Sequence, residues 1–187
     1  MPVPAVDLPI SVADYLAGEQ HSPIRHEYLA GAVRAMAGAD EAHNRISLNL
    51  AFHLRAATRG QPCAVFISDM KVRIEAEERF YYPDVLLTCE PADPGALFKV
   101  SPCLIAEVLS TSTEAIDRGE KLLAYRGLAA LRYYLLLAQD RPRVEVYRRT
   151  EDGGWRYEVH EQGSLALDCG ALALRLSLAD LYEDLVW

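Results

Sequence analysis

Two carboxylates occur where the sequence otherwise predicts buried strands. Asp84 lies in the apolar segment 80–87, and Glu107 lies in the apolar segment 103–110. An ionised carboxylate in an apolar setting costs several kcal/mol unless it is neutralised, paired or bound to a metal. A divalent cation shared by both acids is the simplest partner, because Mg²⁺ prefers hard oxygen ligands. The two residues therefore predict a metal site at the ends of neighbouring strands.

Lys121 supplies a cation that could complete such a site. It lies on a helix predicted for residues 114–126, which begins shortly after the second strand. Metal-assisted cleavage of a phosphodiester uses a nearby cation to stabilise developing charge or to help activate water. The alternative for Lys121 is an exposed i, i+4 ion pair with Asp117, worth a few tenths of a kcal/mol. The alternative for Asp84 is an acid in a turn after a proline.

Two further side chains, those of His43 and Tyr82, belong to the candidate site. His43 stands near the start of a predicted helix and could contact phosphate or act as a general base, because histidine titrates near neutrality. Its alternative is a histidine that bonds the neighbouring backbone at a helix start. Tyr82 could stack on a substrate or donate a hydrogen bond, and its alternative is packing within a strand.

The hydrophobic pattern predicts the elements that would position these residues. Strands are predicted at 63–68, 71–75, 80–89, 104–109, 133–138, 144–148 and 155–160. Helices are predicted at 11–17, 40–59, 114–126 and 177–185, and a hairpin at 26–36. The apolar stripe of the helix at 40–59 should lie on a sheet. No linker or internal repeat divides the chain, so one domain spanning residues 1–187 is expected.

Composition limits the classes of function. The chain has 187 residues, of which 51% are hydrophobic, and a net charge of −8. This charge argues against a domain that coats nucleic acid electrostatically, but a nuclease whose carboxylates bind metal remains compatible with it. No run is long and apolar enough to span a membrane, and residues 1–9 lack the features of a secretory signal, so a cytoplasmic protein without membrane contact is expected.

The four cysteines are widely spaced along the chain. Cys63, Cys89, Cys103 and Cys169 form no CxxC pair, and none lies near a histidine at zinc-ligand spacing. We therefore expect reduced thiols in or beside strands rather than a structural zinc site.

Short motifs follow one another in an order and spacing that resemble a known family. They are residues 11–16, 26–31, 36–38, 68–73, 82–85, 107–110 and 134–136, together with His43, Asn49, Asp117 and Lys121. In these motifs the chain resembles the PD-(D/E)xK nuclease superfamily, and more closely its Uma-type branch of restriction endonucleases. The resemblance implies an α/β restriction-endonuclease-like fold: a central mixed β-sheet flanked by helices, with a C-terminal β meander.

The resemblance also implies roles for particular residues. Asp84, Glu107 and the backbone carbonyl of Val108 would bind Mg²⁺, for which Mn²⁺ would substitute. The superfamily lysine normally stands two residues after the second acid, where this chain has Leu109. In the Uma-type pattern Lys121 on the next helix takes its place.

A further carboxylate and a reaction follow from the same resemblance. Glu27 would add a carboxylate from the N-terminal hairpin, with a surface role as the alternative. The function implied is a metal-dependent endonuclease that hydrolyses phosphodiester bonds of nucleic acid, with DNA as substrate and 5′-phosphate products. A homodimer would suit the cutting of both strands. The alternatives are a non-catalytic nucleic-acid- or protein-binding module that retains the fold, and a phosphoesterase acting on a small nucleotide.

Overall fold

The computed structural model describes residues 9–36, 38–90, 93 and 95–187. Its helices are α1 (Val12–Glu19), α2 (Glu41–Ala57), α3 (Glu114–Ile116), α4 (Leu122–Arg126) and α5 (Leu178–Leu181). Its strands are β1 (His26–Leu29), β2 (Ala32–Ala35), β3 (Ala64–Ile67), β4 (Lys71–Ile74), β5 (Arg79–Tyr81), β6 (Val85–Thr88), β7 (Phe98–Lys99), β8 (Leu104–Val108), β9 (Tyr133–Leu137), β10 (Val144–Arg149), β11 (Trp155–His160), β12 (Ser164–Asp168) and β13 (Ala173–Ser177).

The strands form two larger sheets and one separate hairpin. The six-stranded sheet has the order β11-β10-β9-β8-β6-β3, and the five-stranded sheet has the order β2-β1-β5-β4-β7. Each is mixed, since β8 pairs with β9 and β4 pairs with β7 in parallel while their other pairings are antiparallel. The hairpin β12–β13 stands apart from both sheets. The predicted fold class, mixed sheets flanked by helices, is confirmed.

The six-stranded sheet is buried on both faces around β8. Alternate residues of this strand point to opposite faces, so Leu104 and Ala106 belong to one apolar cluster and Ile105 belongs to another. The first cluster includes the apolar stripe of α2, whose Ile46, Leu50 and Leu54 are fully buried, as the helical periodicity predicted. Burial of each such side chain stabilises the fold by roughly 2 kcal/mol. The second cluster lies under α4.

The helix predicted for residues 114–126 is present but irregular. Between α3 and α4 the chain makes a π-helical turn over Asp117–Lys121. π-Helical turns are rare in proteins, and those that interrupt α-helices often lie at functional sites.

The cysteines are paired, so the expectation of reduced thiols is wrong for this structure. Cys63 bonds Cys89, and Cys103 bonds Cys169. Ala64 and Thr88 face each other in the antiparallel pair β3–β6, which brings the flanking cysteines Cys63 and Cys89 together. Sequence spacing could not reveal this because the partners lie 26 and 66 residues apart in the chain.

Other differences concern the C-terminal part of the chain. The meander β9–β10–β11 is confirmed, but β12, β13 and the short strand β7 were not predicted. The helix expected at 177–185 covers only α5. Two parts of the sequence analysis lie outside the described residues: Ala37 of the 36–38 motif, and residues 1–8, which the expectation of no secretory signal concerns. None of the described helices is both long and apolar enough to cross a membrane.

Candidate active site

Asp84 and Glu107 lie side by side at the ends of two adjacent inner strands of the six-stranded sheet. Asp84 directly precedes β6, and Glu107 is the penultimate residue of β8. The antiparallel register pairs Val85 with Ala106, so one step further along the strands it sets Asp84 opposite Glu107. The backbone amide of Val108 donates a hydrogen bond of 2.7 Å to Asp84 Oδ2. The two predicted acids are therefore neighbours. The structure shows the amide of Val108 at the site, and its carbonyl as a metal ligand stays a prediction.

Lys121 lies in the middle of a group of carboxylates. Its Nζ is 3.1 Å from Glu107 Oε1, 3.2 Å from Glu27 Oε1 and 3.1 Å from Asp117 Oδ1. Lys121 is only 5% exposed. The ion pair with Asp117 that the spacing predicted therefore exists, but it is buried and is one of three. A role on an exposed helix surface is excluded for Lys121.

Burial and charge shift the protonation of this group in one direction. Burial raises the pKa of Glu107, and the charges of Asp117, Asp84 and Glu27 raise it further against the opposing effect of Lys121. Burial lowers the pKa of Lys121, but the surrounding carboxylates outweigh burial and hold it well above its ordinary value. Both pKa values are raised because the surrounding buried groups carry more negative than positive charge.

Tyr125 and Asp117 complete the surroundings of Lys121. The hydroxyl of Tyr125 donates a 2.9 Å hydrogen bond to Glu107 Oε1. Asp117 is 1% exposed, burial raises its pKa, and its Oδ1 has no hydrogen-bond partner among the described residues although Lys121 lies within ion-pair distance. The burial of Asp117 could not be predicted, because an i, i+4 Asp–Lys pair is usual on exposed helices.

The π-helical turn directs its side chains to different partners. Asp117 and Lys121 point into the carboxylate group, whereas Arg118 pairs with Glu145 of β10. Regular α-helical spacing does not describe this arrangement, because the wider π-helical turn rotates the side chains relative to a regular α-helix.

Glu27 reaches the site from the N-terminal hairpin. It stands opposite Arg34 in the β1–β2 register and is 5% exposed, so the surface alternative is wrong. Arg34 Nη2 is 2.8 Å from Glu27 Oε2 and 3.1 Å from Glu120 Oε1. The hydroxyl of Tyr81 donates a further 2.9 Å hydrogen bond to Glu120 Oε1. Arg34 was not among the predicted site residues, because the predicted hairpin at 26–36 had no assigned register.

His43 enters the site from the first turn of α2. Its backbone amide donates to the N-cap residue Asp40, while its ring Nε2 lies 3.1 Å from Asp84 Oδ2. The backbone of His43 thus makes a helix-start contact, while a role of its ring in contacting phosphate or as a general base stays a prediction. Burial lowers the pKa of His43, but the hydrogen bond and charge of Asp84 outweigh burial and raise it above its usual value.

Tyr82 borders the site, but its hydroxyl is engaged elsewhere. The hydroxyl donates to Glu19 Oε1 at 3.0 Å and accepts a 3.0 Å hydrogen bond from Lys71 Nζ. Glu19 also accepts the backbone amide of His26. This buried network joins α1 and β4 to the residue two positions before Asp84. Tyr82 therefore packs and positions the chain here, and its contact with a substrate stays a prediction.

These residues share a cavity of about 530 Å³. Its walls include the five carboxylic acids Glu27, Asp40, Asp84, Glu107 and Asp117, against the cationic side chains of Arg34 and Lys121 and the ring of His43. Hydroxyl groups of residues 110–113 form another part of the wall. The cavity is therefore acidic overall, which is unfavourable for a phosphate group unless a cation is added.

The donor set of this cavity fits a divalent cation. Asp84 and Glu107 offer adjacent hard oxygen ligands, Asp117 offers a buried oxygen without a hydrogen bond, and the surplus of negative charge calls for a counter-ion. Within the described ranges no three histidine, cysteine or acidic side chains converge as a metal cluster. Instead, Lys121 is in contact with Glu107, and His43 is in contact with Asp84.

A comparison with known families matches nearly the whole chain. Residues 12–179 match the Uma2 family, which is described as "Putative restriction endonuclease". The chain belongs to this family. The resemblance found in the motifs is thereby confirmed. Restriction-endonuclease-like families generally use divalent metals, in agreement with the donor set of the cavity.

Relatives of this Uma2 chain occur in Synechocystis sp. (strain ATCC 27184 / PCC 6803 / Kazusa). The protein named "Uncharacterized protein slr1290" is 33% identical over 179 residues, which is 95% of this chain and 94% of the relative. The protein named "Uncharacterized protein sll1609" is 35% identical over 149 residues, 78% of this chain and 84% of the relative.

A solved structure shares the fold. It is a protein of Anabaena variabilis ATCC 29413 whose title reads "putative nuclease belonging to DUF820". The match has a TM-score of 0.74 at 18% identity and covers 93% of this chain and 98% of the other. At this identity the likeness shows the fold, and it shows it for nearly the full length of both chains.

Proposed function

We propose that this Uma2 protein is a metal-dependent endonuclease that hydrolyses phosphodiester bonds in DNA. The observation that carries the proposal is the adjacency of Asp84 and Glu107, fixed by the 2.7 Å bond from the Val108 amide, with Lys121 3.1 Å from Glu107. A nuclease is the function that the family description names. The acidity of the cavity supports metal dependence, because phosphate and carboxylates repel one another.

The proposed ligands of the cation are Asp84, Glu107 and the carbonyl of Val108, with Mg²⁺ as the physiological ion and Mn²⁺ as a substitute. When bound there, a divalent cation supplies charge that stabilises the phosphate and lowers the pKa of water. Lys121 is proposed to orient the attacking water and to stabilise negative charge on the phosphate. Glu27 and Asp117 hold Lys121 in place, and His43 holds Asp84.

The test is a cleavage assay with a panel of substrates. Supercoiled plasmid, linear duplex, single-stranded DNA, RNA and a small nucleotide diester are incubated with wild-type protein in Mg²⁺ or Mn²⁺, beside Asp84→Ala and Lys121→Ala. The proposal expects metal-dependent cleavage of DNA with 5′-phosphate ends, lost in both folded variants. Cleavage of the small diester alone would replace the endonuclease by a phosphoesterase.

A non-catalytic binding module remains the second candidate. It is favoured by the three carboxylates that already neutralise Lys121, which leave this ammonium little charge to offer a substrate. This candidate predicts binding of nucleic acid or protein without cleavage in any metal. Cleavage by the wild type that Asp84→Ala abolishes would exclude it.

A cytoplasmic location and a homodimer belong to the same proposal. Leu48 and Phe52 stand one helical turn apart on α2 with 58% and 63% exposure, an apolar surface that a second copy would cover. Sedimentation velocity of the wild type and Phe52→Ser tests the dimer.

The disulfides argue against a cytoplasmic location, because cytosolic thiols are mostly reduced. Alkylation of cysteines in lysed cells decides it, since reduced cysteines would support the cytoplasm.

A further inference from the structure

The cavity contains three side chains that could carry positive charge, and they differ in how far that charge is already used. Lys121 is 5% exposed and lies among three carboxylates. The ring of His43 contacts Asp84. Arg34 has a side chain that is 32% exposed, so it is the most accessible of the three to a ligand entering the cavity.

The guanidinium of Arg34 is held in place with donors to spare. Its Nε and Nη2 bond Glu27 Oε2, and Nη2 also bonds Glu120 Oε1. Among the described residues no acceptor contacts its Nη1 within hydrogen-bond distance. Arginine presents five N–H groups in a planar fork that suits phosphate oxygens. Two carboxylates therefore orient this fork while part of it stays available.

The anchors of Arg34 come from different parts of the fold. Glu27 lies opposite it on the same hairpin, and Glu120 lies on the π-helical turn beside Lys121. Tyr81 of β5 fixes Glu120 in turn. A side chain held from two sides loses little conformational freedom when a ligand binds, which favours binding.

We infer that Arg34 binds a non-bridging oxygen of a substrate phosphate at the mouth of the cavity. This inference rests on the proposed function, since it names the residue that recognises the phosphodiester of that site. Arg34 thereby has a task separate from that of Lys121: it positions the anion, while Lys121 stays among the carboxylates. The Glu27–Arg34 pair links the phosphate contact to the same carboxylate that holds Lys121.

The test measures binding rather than turnover. A fluorescein-labelled 20-base-pair DNA duplex is titrated with protein, with Ca²⁺ in place of Mg²⁺, from about 50 to about 200 mM salt, and the slope of log K against log salt is recorded. The variants are Arg34→Gln and Arg34→Lys. The matched control is Arg73→Gln, since Arg73 is an ion-paired arginine of similar exposure on β4 that does not line the cavity.

We expect Arg34→Gln to weaken binding of the duplex at least about tenfold. It should also reduce the slope of log K against log salt by about one unit for each protein molecule bound, because one phosphate contact is lost. Arg34→Lys should keep the slope but lose several-fold in affinity, because an ammonium cannot hold two carboxylates and a phosphate in one fork. It also serves as the readout if Arg34→Gln fails to fold. Arg73→Gln should leave the slope unchanged.

The outcomes separate this inference from the proposed function. Equal affinity and slope in the Arg34 variants and the control would overturn the inference while leaving a cleaving wild type a nuclease. Loss of binding in Arg34→Gln, with a wild type that binds but never cleaves, would support the inference and overturn the nuclease. A wild type that binds no nucleic acid would overturn both.

Discussion

The backbone amide of Val108 donates a hydrogen bond of 2.7 Å to the carboxylate of Asp84. This bond joins the start of β6 to the end of β8 and extends the antiparallel ladder by one step through a side chain. It fixes the carboxylate beside Glu107, at the point where both strands leave the sheet. The separation of the two acids is therefore set by strand pairing, the most rigid part of the fold, rather than by a loop.

Lys121→Met should destabilise the metal-free protein. Removing one partner of a buried ion group leaves the others uncompensated, so the free energy of unfolding should fall by about 3–5 kcal/mol. Urea denaturation in EDTA measures this loss. Addition of Mg²⁺ should restore stability to Lys121→Met more than it stabilises the wild type, because the cation replaces the missing charge.

Lys71→Met provides the control for that experiment. Lys71 is also buried, at 7% exposure, but it bonds Tyr82 and does not line the cavity. Mg²⁺ should therefore not stabilise Lys71→Met beyond the wild type. An equal effect of Mg²⁺ on both variants would show that the carboxylates around Lys121 bind no cation.

The stability of the wild type should depend on pH through Lys71. Burial lowers the pKa of Lys71 from its ordinary 10.5. Below that value the unfolded state then binds more protons than the folded state, so the free energy of unfolding rises with pH up to about 10.5. The wild type should gain stability relative to Lys71→Met as the pH rises from the lowered pKa of Lys71 toward about 10.5. Parallel curves for the two proteins over this range would contradict the shift.

Reduction of the Cys103–Cys169 disulfide should lower stability strongly. This bond ties the start of β8 to the hairpin β12–β13 across a separation of 66 residues. Chain-entropy arguments assign such a cross-link about 4 kcal/mol, and somewhat less to Cys63–Cys89 with its separation of 26. Denaturant unfolding of the oxidised wild type and of a Cys103→Ser, Cys169→Ser double variant measures the difference. Equal midpoints, with free thiols found in the wild type by mass spectrometry, would show that the cysteines are unpaired.

Much of the fold and part of the site follow from the sequence. The strand that carries Glu107 could be predicted because the acid interrupts a continuous apolar run, which marks a strand buried on two faces. The single strand predicted at 80–89 is wrong: β5 and β6 belong to different sheets, and Asp84 lies in the break just before β6. The stripe of α2 was equally clear. Short-range turn chemistry also placed the hairpin that carries Glu27.

The remaining parts depend on contacts between distant segments. From the sequence, Asp117 was expected on the surface, but it is buried in the π-helical turn before α4. The pairing of Cys103 with Cys169 depends on where β12 lies, which no local pattern reveals. The position of Glu120 beside Arg34 likewise joins residues separated by 86 positions. Such contacts depend on the tertiary fold, so local patterns in a single sequence do not predict them.

The most direct test of the account compares carboxylate variants in one cleavage assay. Nicking of supercoiled plasmid in Mn²⁺ is measured for the wild type, Asp84→Asn, Glu107→Gln and the control Asp93→Asn. Asp93 is also buried and accepts backbone amides, from Val100 and Ser101, but lies outside the cavity. Asp84→Asn and Glu107→Gln should lose at least about a hundredfold in rate while remaining folded, and Asp93→Asn should cleave like the wild type. Equal rates in all four proteins, or no cleavage by the folded wild type, would contradict the assignment of this site.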